Sequence, residues 1–167
     1  MLTLVSPDTG TTTNTYDNAG NLRTRTDAVG KIATYTYDAT NRPTRVTYRL
    51  GTVTDETINW TYDQGANGIG RLTGMTDLSG STAWNYDQQG QVINKQQRVG
   101  NLIFDVRYLY DTNGRMTGMT YPSSRDVDYL YNANGQIEHL FVNGVAMLSN
   151  IQYHATGSVK SWVWANG

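Results

Sequence analysis

The dipeptide Tyr-Asp recurs at Tyr16-Asp17, Tyr37-Asp38, Tyr62-Asp63, Tyr86-Asp87 and Tyr110-Asp111, and degenerate copies follow at Tyr131-Asn132 and Tyr153-His154. The intervals are 21, 25, 24, 24, 21 and 22 residues. Near-constant spacing over seven copies means that one supersecondary unit is used repeatedly. Such a chain folds as a stack of like units, because a single unit cannot bury its apolar face alone.

Each unit reads as a β-hairpin. Ile58, Trp60 and Tyr62 alternate with Asn59 and Thr61, and Phe104, Val106, Tyr108 and Tyr110 alternate with Asp105, Arg107 and Leu109. Val127, Tyr129 and Tyr131 alternate with Asp128 and Leu130 in the same way. A period of two is a strand with one buried face. After the strand, the motif turns: Gly20, Asn41, Gly90, Gly114, Gly135 and Gly157 stand four residues beyond their tyrosines, and Gly70 serves the third copy after a loop insertion of about four residues in Gln64–Gly68. Asp opens the turn because its carboxylate accepts backbone N–H groups two residues on. Gly, or Asn at position 41, closes it by taking a left-handed conformation. The chain returns through an apolar residue six after the tyrosine (Leu22, Val92, Met116, Ile137, Val159) and often a second at nine (Val46, Met119, Leu140, Trp162). A spacing of three is odd for a strand, which predicts a bulge or sharp twist, here placed at Gly74 and Gly118.

Composition agrees with an all-β chain. There are 12 Tyr, 4 Trp and 24 Thr for strands, 17 Gly and 15 Asn for turns, and only 3 Pro. Tandem hairpins over residues 1–167 predict a single array of about seven repeats, a continuous twisted antiparallel sheet of about a dozen strands, open at both edges. Several function classes fall away. The absence of Cys removes disulfide scaffolds, thiolate metal sites and cysteine nucleophiles. Two His leave little for a metal centre or a Ser-His-Asp triad, and a net charge of -1 argues against a nucleic-acid partner. No apolar run is long enough for a membrane helix, and Met1–Gly10 lacks a signal-peptide pattern.

The pattern Y-D-x-x-G-x-L, as in Tyr16-Asp17-Asn18-Ala19-Gly20-Asn21-Leu22, resembles the YD repeat of Rhs (rearrangement hotspot) proteins. The same repeat occurs in teneurins, wall-associated proteins and the shell-forming components of insecticidal toxin complexes. Residues 62–77 and 153–167 resemble bacterial Rhs proteins in particular. The resemblance implies an open segment of a spiral β-shell that encapsulates a C-terminal toxin. It implies the rest of the parent shell and its toxin cargo as partners, and an exported or extracellular bacterial protein. The chain stops at Trp164-Ala165-Asn166-Gly167 in what resembles the middle of a further repeat, which implies truncation. The family's D-P-x-G self-cleavage motif has no counterpart, since Pro7-Asp8-Thr9-Gly10 has the wrong order. No catalytic, cofactor or metal residue is therefore carried over. The expected structural motif is Tyr16, Asp17, Gly20, Tyr37, Asp38, Tyr62, Asp63, Gly70, Tyr86, Asp87, Gly90, Tyr110, Asp111, Gly114, Tyr131, Gly135, Tyr153 and Gly157.

Competing readings of single features are weaker. The Tyr/Trp ladder suits a glycan-binding or protein-binding adhesive module if its rings are exposed. A buried aromatic removes roughly 150–250 Å² from water, so a ladder at the inward position of every hairpin is expected to be core, with Trp162 and Trp164 the exposed members. One Asp per turn is too few for calcium. Asp126 and Asp128 are expected on a solvent face rather than as a glycosidase pair. His139 and His154 fall at different offsets and do not suggest a shared site. Arg23 with Arg25, Arg42 with Arg45, and Lys95 with Arg98 are expected as solvated outer-face residues. The sequon Asn59-Trp60-Thr61 lies within a predicted strand. A β-propeller enzyme would need eight hairpins for four blades, and seven are visible. Open sheet edges predict self-association.

Overall fold

The structure, a computed structural model, describes residues 1–165. Among them there is no helix, and hence none long and apolar enough to cross a membrane. Fifteen strands follow one another in chain order: β1 Leu2–Ser6, β2 Gly10–Tyr16, β3 Leu22–Thr26, β4 Lys31–Tyr37, β5 Pro43–Leu50, β6 Val53–Tyr62, β7 Leu72–Thr76, β8 Gly80–Tyr86, β9 Val92–Val99, β10 Leu102–Tyr110, β11 Met116–Thr120, β12 Asp126–Tyr131, β13 Ile137–Val142, β14 Val145–Tyr153 and β15 Val159–Trp164. The sheet is unclosed, with β1 and β15 as its ends. The expected dozen becomes fifteen because the degenerate repeats each give two full strands and β1, which carries no motif, pairs antiparallel with β2. The end of the array at Asn166-Gly167 lies outside the described residues.

The chain forms two compact units. The first holds Met1–Ala83 with Arg98–Gly100, and the second holds Trp84–Gln97 and the chain from Asn101 on. In both, the pairs follow one register rule. Thr61 faces Gly74 but Tyr62 faces Leu72, so Thr73 is an extra residue. The same slip leaves out Arg23, Thr44, Thr117, Glu138 and Lys160 in the other copies. The predicted bulge is therefore real, but it sits one residue past the returning apolar side chain in each of these pairs, not at Gly74 and Gly118. One inserted residue restores the parity of the odd spacing. Met116 pairs Tyr110 and Met119 pairs Tyr108, so both methionines share the tyrosines' face.

That face carries what burial the sheet has. Val46 is 1% exposed, Ala33 6% and Val127 9%, and all three lie on the tyrosine side. The tyrosines and tryptophans beside them are half-buried, while Asn59, Thr61, Asn85, Leu109 and Leu130 on the other face are exposed. In the first unit that other face is dominated by threonine. Thr15, Thr24, Thr34, Thr47 and Thr57 form one row across β2 to β6, with the Thr15 and Thr24 hydroxyls 2.6 Å apart. In the second unit the corresponding face carries Leu109, Leu130 and Phe141, the last with His139 at 6.0 Å between ring centroids.

Candidate functional site

The Tyr-Asp turns join each even-numbered strand to the next odd-numbered one. In the first, Asp17 N–H donates to the Asn21 carbonyl (2.9 Å) and Gly20 N–H to the Asp17 carbonyl (3.1 Å). Asp17 Oδ1 accepts from the backbone N–H of Ala19 (2.9 Å) and of Asn21 (2.8 Å). The pattern repeats at Asp38, with Thr40 and Arg42 as donors, and at Asp111, with Asn113 and Arg115. It persists at Asn132, whose amide oxygen accepts from Asn134 and Gln136 at 3.0 Å each. At Asp87 the carboxylate accepts from Gln91 N–H at 2.8 Å. His154 keeps only the backbone bonds, to Ser158 and from Gly157. Gly20, Gly70, Gly90, Gly114, Gly135 and Gly157 all take φ between 77° and 87°, and Asn41 takes 63°. These donors hold Asp17, Asp38 and Asp111 ionised: the Asn21 side chain and backbone lower the Asp17 pKa, and the Arg42 and Arg115 backbone N–H groups lead in lowering the other two. The third turn differs because of its inserted loop. Asp63 itself has φ 64°, and it reaches Gly70 N–H at 2.6 Å.

The tyrosines link one repeat to the repeat before it. Tyr37 donates its hydroxyl to the Leu22 carbonyl (2.8 Å), Tyr62 to Pro43 (2.9 Å), Tyr110 to Val92 (2.9 Å), Tyr131 to Met116 (2.6 Å) and Tyr153 to Ile137 (2.8 Å). Each acceptor lies six residues after the preceding tyrosine, at the residue just before the bulge. Partial desolvation raises the pKa of Tyr37, Tyr62 and Tyr110, keeping these phenols protonated donors. The half-exposed Tyr16 begins the series.

The residue five after Tyr16, Tyr37, Tyr86 and Tyr110 reaches the other way. Asn21 Nδ2 donates to Asn41 Oδ1 (2.8 Å), and Gln91 Nε2 donates to the Gly114 carbonyl (2.9 Å). Arg42 spans two turns: Nε donates to Asp38 Oδ2 (2.7 Å), Nη1 and Nη2 donate to Asp63, and the guanidinium lies 4.4 Å over the Tyr62 ring. Arg115 likewise binds Asp111 (2.7 Å) and lies 4.6 Å over Tyr131. Arg42 is thus no solvated outer-face residue. It is the strap between two repeats, and its side-chain bonds to Asp63 and then Asp38 push its pKa further up.

The sequence reading missed these positions because their identities vary among Asn, Arg and Gln, and their partners lie about twenty residues away. It also missed two turns of the same chemistry on the opposite rim. Asp27 Oδ1 accepts from Val29 and Lys31 N–H, and Asp77 Oδ1 from Ser79 and Gly80 N–H. The D-x-x-G spelling of 27–30 and 77–80 was present, but threonine precedes each aspartate in place of tyrosine.

Other candidates resolve into structural roles. Asp126 and Asp128 are exposed, and Asp126 accepts from the Thr120 hydroxyl at 2.7 Å. Asn59 lies in β6 and donates to Thr76 Oγ1 at 3.2 Å. His139 lies in β13 opposite Leu130, whereas His154 opens a turn. Trp162 and Trp164 are 47% and 56% exposed, packed edge to face at 6.0 Å.

A stack of bulged hairpins, fastened to the hairpin before by the hydroxyls of Tyr37, Tyr62, Tyr110, Tyr131 and Tyr153, is a β-hairpin repeat architecture. A profile of the RHS repeat matches residues 16–53 of the chain, the span of the first two Tyr-Asp turns, and the rest of the array repeats the same Tyr-Asp spacing. No curated protein matches it. Among solved structures it is similar to a chain of the TcdB2-TccC3-Cdc42 complex, at 16% identity and a TM-score of 0.87 over 98% of this chain. It is similar to TcdB2-TccC3 without the hypervariable C-terminal region, at 16% identity and a TM-score of 0.88 over 98% of this chain. A chain of the Photorhabdus luminescens Tc holotoxin pore with a TccC3 mutation matches at 17% identity and a TM-score of 0.88 over 99% of this chain. The chain spans 9% of the length of each of these solved chains. They share its fold.

Proposed function

We propose that this chain is a wall segment of an exported Rhs-type shell that encloses a C-terminal toxin, and that it performs no catalysis of its own. The observation that carries the reading is the shortage of interior. A compact globule of this mass would expose about 8,200 Å², and two of half the mass about 9,900 Å² together. The chain exposes 11,191 Å². Leu4, Leu50, Val53, Leu102, Leu109, Val145 and Trp164 each stand at least half exposed. A domain needs two packed layers to bury its apolar faces. A sheet of latched repeats with this much apolar surface exposed suits a wall whose faces and edges meet other parts of a longer chain. Similarity to chains of TcdB2-TccC3 and Tc holotoxin structures more than ten times as long supports that reading.

Solution scattering of the isolated chain gives the first test. A compact 167-residue domain has a radius of gyration of about 15 Å. The proposal expects a clearly larger value at monomer mass, and a value at 15 Å would overturn it. Encapsulation is tested on the intact parent polypeptide. Its C-terminal region is expected to resist protease until the wall is unfolded, and cleavage of that region at the rate of a free domain would refute enclosure.

A further inference from the structure

The first repeat breaks the pattern of the tyrosine face at three adjacent positions. In four other repeats, the residue two before the tyrosine pairs across the strands with an apolar residue: Tyr35 with Val46, Trp60 with Met75, Tyr108 with Met119 and Tyr129 with Leu140. In the first repeat the pair is Asn14 with Arg25. The next residue in that row is Ala33, 6% exposed, followed by Tyr48. Asn14 Oδ1 is buried without a hydrogen-bond donor, and Arg25 is exposed and bonds to no other side chain among the described residues. A polar pair in an apolar slot, with one buried acceptor unspent, departs from what packing alone selects.

Beside this pair, on the Arg25 side, lies a cleft of about 260 Å³ lined by Arg25, Asp27, Lys31, Ala33, Tyr35 and Tyr48. Ala33 lies between Arg25 and Tyr48 across the strands, and between Lys31 and Tyr35 along its own. Lys31 Nζ is 3.0 Å from Asp55 and 5.5 Å above the Tyr48 ring. Glu56 pairs with Tyr48 at the far end of the row. Two cations against Asp27, Asp55 and Glu56 leave no positive excess, so the cleft is not built for an anion. The cations also make it a poor cation site. Its polar lining does not suit an apolar ligand. It offers donors from Arg25 and Lys31, an acceptor in the second oxygen of Asp27, and two phenol rings as walls.

We infer that this cleft binds one neutral saccharide ring, with hydroxyls on Arg25 and Asp27 and a C–H face on Tyr35 or Tyr48. The inference stands apart from the shell role. A ring of this size held in a shallow site binds with a dissociation constant on the order of 1 mM.

The test is saturation-transfer NMR on the full chain with methyl α-glucoside, methyl α-galactoside and N-acetylglucosamine, and with glucuronate as the acidic comparator. At least one neutral sugar is expected to bind. Arg25→Met should weaken it tenfold or more. Asn14→Tyr restores the aromatic member of the ladder and sets a ring against Arg25, its cross-strand partner, so it should weaken binding tenfold or more while leaving the melting temperature unchanged or raised. Trp162→Ala, at the other exposed aromatic pair, should leave binding intact. Absence of binding by all three neutral sugars would overturn the inference, as would retention in Arg25→Met and Asn14→Tyr. Glucuronate binding tenfold tighter than any neutral sugar would overturn it in favour of an anion site.

Discussion

The two rims of the sheet use the same turn and different fastenings. On the Tyr-Asp rim, the aspartate organises its own turn, while the tyrosine before it and, at Asn21, Arg42, Gln91 and Arg115, the residue four after it touch neighbouring repeats. On the opposite rim, Asp27 and Asp77 bond their turns in the same way, but Thr26 and Thr76 precede them. There the hairpins alternate in length. Short connections at Asp27–Gly30 and Asp77–Gly80 alternate with two-residue turns at Gly51, at Gly100 and at Asn143-Gly144, the last with φ of 50° and 75°. The comparison teaches that local turn chemistry makes hairpins, and that side-chain reach between repeats makes an array.

The largest effect expected from breaking that comparison lies on the opposite rim. A Cβ at Gly80 would stand 1.9 Å from the Arg98 carbonyl oxygen, and φ is 150°. Gly80→Ala should cost more than about 3 kcal/mol in urea unfolding. Next comes the latch: Tyr131→Ala should cost about 2–4 kcal/mol, and Tyr131→Phe about 1 kcal/mol through the lost bond to Met116. If Tyr131→Phe is neutral while Tyr131→Ala is severe, the ring and not the hydroxyl joins the repeats. Gly20→Ala meets open space at φ 87°, so it should cost only about 1 kcal/mol. The pH profile should show the smallest effect. Asp17, Asp38, Asp63 and Asp111 titrate below their ordinary value when folded, so their contribution is present above about pH 4 and is lost as pH falls through the lowered values. Tyr37, Tyr62 and Tyr110 titrate above theirs, so stability should also fall as pH rises past about 10. A flat thermal midpoint across both limits would show that these groups are unperturbed.

Much of this was legible in the residues. Alternation at Trp60 and Tyr62 gave the strand and its half-buried face, and the Asp–Gly spacing gave the turn. The odd interval from Met116 to Met119 gave the bulge, though not its place at Thr117, because sequence shows lost parity without showing where the extra residue sits. The straps at Asn21, Arg42, Gln91 and Arg115 were not legible. What unites them is reach across one repeat, which different side chains achieve with different atoms. Arg42 looked like a surface charge because its second carboxylate, Asp63, is 21 residues away in sequence. The strand β1 escaped notice because its pairing with β2 is written in backbone bonds alone.

The tyrosine bonds also have a direction in time. Each hydroxyl reaches a carbonyl 15 to 19 residues earlier in the chain. A ribosome releasing this polypeptide has therefore already delivered the acceptor when each of these tyrosines emerges. The array can be laid course upon course from its N-terminal end, each new hairpin settling on one already in place, without waiting for distant chain to close a loop.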